Sequence, residues 1–373
     1  MLHLRLRRKS IQPARPVVKL KSLLWGLLQQ PAKARYRRRR VMKRFISHDE
    51  LARDRRFIRQ NNALTTVLSQ LPDDVDKVVE TFESIDAMIE KGVRGTEAEP
   101  LYEDYGPAFG LVTLNEPLRP DDPAALTRLR VRMHGIFVGE LQALEGAGRS
   151  LWDFPDAPWE FKMNMARQCW DEARHVQIYE KLLEHVGAYP GMFPESTFLF
   201  ECACSDDPSM RVAGVNRGLE GLACDVFRDM IRYAEESGDE VMKQAVDFVL
   251  ADELTHVRFG SEWVREFTKD DPERFERAQE FRRQVDKQFS FGGSRSDRKD
   301  AAIPIAREVR QEAGFTEQEI DELVTISAGG PSKETIKAAA RILRERHRAR
   351  RAARAAAQGG EAGGGKSPEG APA

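Results

Sequence analysis

Cysteine is scarce. The 373 residues contain four, at Cys169, Cys202, Cys204 and Cys224. No Cys-x-x-Cys pair occurs, which removes zinc ribbons and rubredoxin-type iron sites. So low a density does not build a disulfide framework, and the chain reads as a reduced, cytoplasmic protein. Long apolar runs are also missing. The longest near the N-terminus, Leu23-Leu24-Trp25-Gly26-Leu27-Leu28, falls far short of the roughly 20 residues a spanning helix needs, so no transmembrane segment is expected. Basic residues precede that run and Ala32-Lys33-Ala34 follows it, but Arg37 to Arg40 continue the flank, and a secretory signal is disfavoured. Acidic residues are absent before Asp49. Residues 1–60 hold 19 Lys/Arg against 3 Asp/Glu, a balance of +16, so the overall charge of -1 leaves -17 for the remainder. Such an arm suits an anionic partner, whether nucleic acid, an anionic membrane or an acidic protein; a solvated extension with no partner is the plain alternative.

Strand signals are weak as well, and helical signals take their place. Residues 1–60 form the basic arm, and 61–120 a patchily helical and linker region, with Pro72-Asp73-Asp74 opening a helix over 75–89 and a Gly- and Pro-containing linker over 101–120. Four long helices are predicted near 123–150, 157–186, 208–237 and 239–268, with a fifth near 271–289. Asp122-Pro123, Asp207-Pro208 and Asp271-Pro272 place a capping aspartate before a proline at the first helical position. Asp156, with Pro158, opens the second helix, and Gly187 ends it. Gly238 followed by Asp239 reads as a stop and a new start. Residues 294–355 read as two or three short helices, and 356–373 as a disordered, Gly/Ala/Pro-rich tail. Each long helix carries an apolar stripe at helical spacing, the pattern of an all-α antiparallel four-helix bundle over 121–293 with additional flanking helices.

What interrupts the stripes carries the chemistry. Glu140 lies between Phe137 and Leu144, Glu172 between Cys169 and Val176, and Glu220 between Ala213 and Phe227. His175 follows Glu172 by three residues, and Glu253 and His256 repeat that step on the fourth helix. A carboxylate in an apolar core is costly unless it is paired or binds a metal. Glu140 to Glu172 is 32 residues and Glu220 to Glu253 is 33, so each unit is a helical hairpin with Glu on its first helix and Glu-x-x-His on its second. Two such hairpins supply four carboxylates and two imidazoles, the ligand set of di-iron and di-manganese bundles. Hard oxygens with two imidazoles suit Fe(II) or Mn(II). Two metal ions are therefore expected, iron first and a manganese–iron pair as the alternative. Asp171 and Asp252, each one residue before a ligand Glu, are placed to orient the histidine of the opposite hairpin, and Arg174 to pair with one of these aspartates.

Here a resemblance becomes explicit. Asp171-Glu172-Ala173-Arg174-His175 is similar to the motif of bacterial multicomponent monooxygenases, and the order of the six ligands matches theirs. With His134, Glu140-Leu141-Gln142-Ala143 and Asp252-Glu253-Leu254-Thr255-His256, residues 121–293 resemble the ferritin-like superfamily, and most closely an uncharacterised ferritin-like family defined only as a domain of unknown function. The resemblance implies a di-metal site but brings no substrate. Thr255 stands where the first motif has Arg174, so two-fold symmetry around the ligands is imperfect.

The expected function is a di-metal oxidoreductase that uses dioxygen to oxidise or hydroxylate a small organic substrate, with electrons from a separate donor. Iron oxidation or storage, an RNA-modifying hydroxylase that uses the basic arm, and a metal-stabilised interaction protein are the alternatives. Among the remaining residues, Tyr179 resembles the radical tyrosine of ribonucleotide reductase small subunits but is better read as core. Glu145 and Asp225 are either further carboxylates around the ligands or surface charges. Cys224 is one turn from Glu220 and lines the site or simply fills the core. His134 reads as a core histidine, His185 as a surface one, and Cys202-x-Cys204 as part of the crossover, with a redox role as its alternative. Glycines at 135, 139, 146, 148, 218 and 221 mark close helix contacts or room for substrate.

Overall fold

Aspartates cap the starts of four helices. Asp74 accepts from the backbone N–H of Asp76 and Lys77, Asp207 from Ser209 and Met210, Asp239 from Met242, and Asp271 from Arg274. A computed structural model describes residues 71–361, apart from 96–98, 112–116, 122–124, 194, 196, 204, 291–294 and 299–300. All of these belong to one compact unit, Arg55–Ala373. The helices are α1 Val75–Ser84, α2 Asp86–Val93, α3 Glu99–Tyr105, α4 Ala125–Asp153, α5 Trp159–His185, α6 Phe198–Ala203 and α7 Pro208–Val212. A π-helical segment, Ala213–Leu219, joins α7 to α8 Glu220–Ser237; α9 Glu240–Thr268, α10 Pro272–Gln288, α11 Arg307–Glu312, α12 Glu317–Ser327 and α13 Lys333–Glu361 follow. The described residues are thus all-α apart from a two-residue parallel ladder, β1 Arg295–Ser296 with β2 Ile303–Pro304. Among them no helix is long and apolar enough to cross a membrane.

The four predicted long helices are present. α4 packs along α5 and α8 along α9, giving two hairpins, and α5 meets α9 between them. Gly238 ends α8 in the left-handed conformation, φ 73°, which a residue with a side chain enters only with strain. Asp156 does not cap α5: the helix starts at Trp159 after Pro158, with no side-chain cap. The Asp122-Pro123 start lies outside the described residues, as does the basic arm.

The ends of the sequence differ most from expectation. The helix predicted over 75–89 breaks at Ile85, where α1 gives way to α2. Residues 101–120 contain the end of α3 and a turn of 3-10 helix, Gly106–Ala108, with Tyr102, Ala108, Leu111 and Leu118 buried. The last helix is long: α13 runs past Ala355 to Glu361. The last two departures share a cause. Ile336, Ala339 and Leu343 of α13 pack against Val78, Val79 and Phe82 of α1 and against Ala108 and Leu111, forming a core separate from the hairpins. Each large apolar side chain buried there contributes about 1.5–3 kcal/mol. Arg346 and Arg350 pair with Glu83, and Arg348 with Asp104, but such exposed pairs add little.

Candidate metal centre

Glu140 comes from α4, Glu172 and His175 from α5, Glu220 from the start of α8, and Glu253 and His256 from α9. All six are buried. They form two groups that could each hold a metal ion: Glu140, Glu172, His175 and Glu253, and Glu172, Glu220, Glu253 and His256, with the potential ligand atoms of each group within 4.8 Å of one another. Glu172 and Glu253 belong to both. Their two oxygens are shared between the histidines. Glu172 Oε2 is 3.2 Å from His175 Nδ1 and its Oε1 is 3.2 Å from His256 Nδ1. Glu253 Oε1 is 3.1 Å from His175 Nδ1 and its Oε2 is 2.9 Å from His256 Nδ1.

The far sides of the rings fix their tautomers. His175 Nε2 lies 3.2 Å from Asp252 Oδ2, and His256 Nε2 lies 3.4 Å from Asp171 Oδ2, each reaching across to the opposite hairpin. An ionised carboxylate only accepts, so each Nε2 carries the hydrogen. In the neutral ring Nδ1 then presents a lone pair to carboxylate oxygens, which repels unless a cation lies between them. Glu253 Oε1 adds to the case: it is buried and receives no hydrogen bond of acceptable geometry, although His175 Nδ1 is near. Four carboxylates and two imidazoles turned inward at Nδ1 therefore fit two divalent cations, whose four positive charges they balance.

Without a cation the cluster must hold protons instead. Burial pushes Glu140 and Glu220 well above the usual carboxylate range, and for both the charges of the neighbouring carboxylates push in the same direction. Burial also opposes ionisation of Glu172 and Glu253, but the histidines reverse it, and both carboxylates sit below the ordinary range. Burial would lower both histidines, yet the surrounding glutamates raise them well above it.

The aspartates are themselves held. Asp171 accepts from Arg167 Nε at 2.7 Å and from Arg174 Nη2, and Arg174 Nη2 also reaches Asp252 Oδ2 at 3.0 Å. Arg174 therefore pairs with both aspartates. Burial raises the Asp171 carboxyl, but hydrogen bonds from His256, Arg174 and Arg167 outweigh it and bring it to about 2.

Three functional partners escape a reading by motif. Arg167 is one turn before Asp171. Gln168, one turn before Glu172, donates to Glu172 Oε1 at 3.2 Å and Glu220 Oε1 at 2.8 Å. Asn216, one turn before Glu220, donates to Gln168 Oε1 at 2.8 Å and to the His256 carbonyl at 3.3 Å. The signal was present in part: Arg167, Gln168 and Asn216 stand four residues before Asp171, Glu172 and Glu220, although Ile136 and Val249 hold that place before Glu140 and Glu253. Asn216 lies in the π-helical segment, a conformation that often marks functional sites. Gly260 permits the approach, since a Cβ there would lie 2.5 Å from Asn216 Cβ.

The other candidates resolve simply. Tyr179 is core, stacked at 5.8 Å on Phe227, with a hydroxyl that finds no partner. Cys224 is fully buried. Glu145 is exposed, whereas Asp225 is buried away from the ligands. It accepts from Arg295 Nη2 at 3.0 Å and from Arg310 Nε and Nη2, both at 2.8 Å. Arg310 also donates to the Gly221 carbonyl at 2.6 Å, next to Glu220. Phe315 lies between Arg310 and Arg217, with guanidinium carbons 4.9 and 4.0 Å from its ring centre. A Cβ on Gly221 would come within 3.0 Å of both Arg310 and Phe315, and one on Gly218 within 3.0 Å of Val285, so these two glycines serve close contact. His134 is a core histidine, accepting at Nε2 from the Gly191 N–H at 3.0 Å, while His185 is exposed and pairs with Asp239 at 2.8 Å. Cys204 lies outside the described residues.

No curated protein and no solved structure matches the chain. A family model does match, over residues 74–321, which is 248 of 373 positions and includes all six cluster residues, Arg310 and Phe315. The chain accordingly belongs to the family described as "Protein of unknown function (DUF455)".

Proposed function

We propose that the chain is a ferritin-like, di-metal oxidoreductase, with Glu140, Glu172, His175, Glu220, Glu253 and His256 as ligands to two ions, iron in the first instance. The observation that carries this reading is the division of the Glu172 and Glu253 oxygens between the two histidines, the arrangement expected of bridging carboxylates. Glu140 and Glu220 are then terminal ligands. Asp171 and Asp252 hold the imidazoles by their Nε2 hydrogens and raise their basicity. Arg167 and Arg174 fix the aspartates, and Gln168 fixes Glu172 and Glu220. Phe137, Val176, Val249 and Cys224, each one helical turn from one of the four glutamates on its own helix, are buried, which keeps that part of the core dry. When bound, two such ions supply electrons to dioxygen and so drive oxidation or hydroxylation of an organic substrate. The test is elemental analysis of purified protein beside a Glu172→Ala/Glu253→Ala variant, followed by dioxygen uptake. About two ions per chain in the parent, almost none in the variant and uptake only by the loaded, reduced parent are expected. Parent protein that stays metal-free in iron- and manganese-replete conditions ends this reading.

A further inference from the structure

Tyr179 lies one turn after His175 on the ligand face of α5 and is wholly buried. Its stacking on Phe227 uses the ring alone. Among the described residues its hydroxyl has no hydrogen-bond partner. A buried hydroxyl left unpaired is destabilising, and a phenylalanine would fill the same place without that cost. The hydroxyl therefore awaits a partner that the protein itself does not supply.

The other donors around the cluster are committed. Gln168 gives its amide hydrogens to Glu172 and Glu220, and its oxygen accepts from Asn216. The histidine Nε2 hydrogens go to Asp252 and Asp171. Arg174, whose Nε is also unpartnered, lies beyond those aspartates and over Phe248. Cys224 offers only a weak S–H. Tyr179 is thus the strong donor left over. Burial, and after it the charges of Glu140 and Glu253, push its hydroxyl well above the ordinary range, so it keeps its proton. Glu140 and Glu253 belong with Glu172 and His175 to one of the two groups, which places the phenol on the His175 side of the cluster. Glu253 Oε1 also lacks a partner yet does not take this O–H. A cation satisfies acceptors such as Glu253 Oε1, but an O–H requires a lone pair. We infer that Tyr179 donates to a small ligand taken from solution and bound, through an oxygen or nitrogen lone pair, to the ion of the His175 group. The open position of the centre then lies on that ion. The Glu220 side has no equivalent, since both Gln168 hydrogens go to glutamates. The inference rests on the two-ion reading of the cluster.

The probe is azide, and the protein is the full chain loaded with iron and oxidised, beside Tyr179→Phe. The substitution removes only an unpartnered hydroxyl, so helix content, iron content and resistance to denaturant should not fall. Iron is counted first. Azide titration, followed by the visible absorption of the iron–azide complex, should give a dissociation constant about tenfold or more higher in the variant. A second reading would not respond to a tyrosine that merely packs: heavy water should shift the azide vibrations in resonance Raman spectra of the parent, and that shift should vanish in the variant. Equal azide affinity with the same isotope response overturns the proposal, as does iron-loaded parent that binds no azide. An iron–phenolate absorption in the parent before azide is added overturns it by making Tyr179 itself a ligand. Loss of iron by the variant overturns it by giving the hydroxyl to a ligand glutamate. Parent that holds no iron ends the two-ion reading and this proposal together; the other failures leave the parent's iron in place and end this proposal alone.

Discussion

Asp171→Asn and Asp252→Asn should each weaken a different metal position. Asp171 holds His256, a member of the group with Glu172, Glu220 and Glu253; Asp252 holds His175, a member of the group with Glu140, Glu172 and Glu253. Loss of such an outer partner costs about 10- to 100-fold in metal affinity, or about 1.4–2.7 kcal/mol. The larger loss is expected for Asp171→Asn. That carboxylate is wholly buried and takes Arg167, Arg174 and His256 together, whereas Asp252 is partly exposed and takes Arg174 and His175. Neither change strands Arg174, because the other aspartate remains as its partner. Anaerobic competition titration with Mn(II) or Fe(II) against a chromophoric chelator resolves the two steps, and circular dichroism checks that the helices persist. Each single variant should retain one tight ion and bind the other weakly, and the double variant should bind both weakly. Equal weakening of both ions in each single variant, or changes under about threefold, would refute the assignment of one aspartate to one position.

Further outcomes follow from the same geometry. His175 and His256 are raised, and so are Glu140 and Glu220, so protons must leave when cations enter: loading near neutral pH should release at least about two protons per chain, from the histidines, and up to about four with the two glutamates, and should strengthen as pH rises; calorimetry in buffers of different ionisation enthalpy reads the count, and buffer-independent heats would contradict it. Burial holds His134 at about 4, below its ordinary 6.5, so unfolded chain takes up this proton first as pH falls. Its contribution is complete above pH 6.5 and declines by about 3 kcal/mol towards pH 4, and denaturant titrations of His134→Gln should show that much less acid sensitivity. Asp225→Ala removes the carboxylate that Arg310 and Arg295 share, leaving Arg295 only Asp286 at 3.7 Å, and should cost about 3–5 kcal/mol in chemical denaturation. Gly260→Ala forces Asn216 to move and should lower stability by about 1–3 kcal/mol, with the affinity of the Glu220 position falling further than that of the Glu140 position.

The six cluster residues were legible because each broke a helical stripe that was otherwise apolar, and because the break recurred at matching distance. The opposed aspartates were legible from the same spacing. Helix starts read directly where Asp preceded a helix, since that cap needs only neighbours in sequence. Structure that depends on distant partners did not read. The buried state of Asp225 is set by Arg295 and Arg310, 70 and 85 residues away. The segment near Ala108 is ordered by α13, more than 200 residues later. Gln168, Asn216 and Arg167 sat on the right faces, but nothing local separates a polar side chain that braces a ligand from one that merely tolerates burial.

The repeated hairpin motif suggests two equivalent metal positions, and the structure argues against equivalence. Glu140 Oε2 lies 3.3 Å from His175 Nδ1, in line with the repeat. Its counterpart Glu220 instead takes a hydrogen bond from Gln168. The difference begins in the backbone: α4 runs unbroken through Glu140, whereas Glu220 follows a π-helical segment. An extra residue in a helical turn rotates everything after it, so a π segment costs hydrogen-bond geometry that neighbours must repay. Here the neighbours are identifiable. Arg217 is tied to Ser261 and, at 2.5 Å, to Glu319, while Arg310 holds the Gly221 carbonyl, and Phe315 fills the space between the two guanidinium groups. These supports come from α11, α12 and the turn between them, and they act on one hairpin alone. The side of the cluster nearest the sequence's C-terminal helices is therefore the braced one, and the Glu140 side keeps the simpler helical geometry. Two ions held this way would differ in their surroundings even with matching ligands, which is the physical basis for expecting the two aspartate variants to separate them.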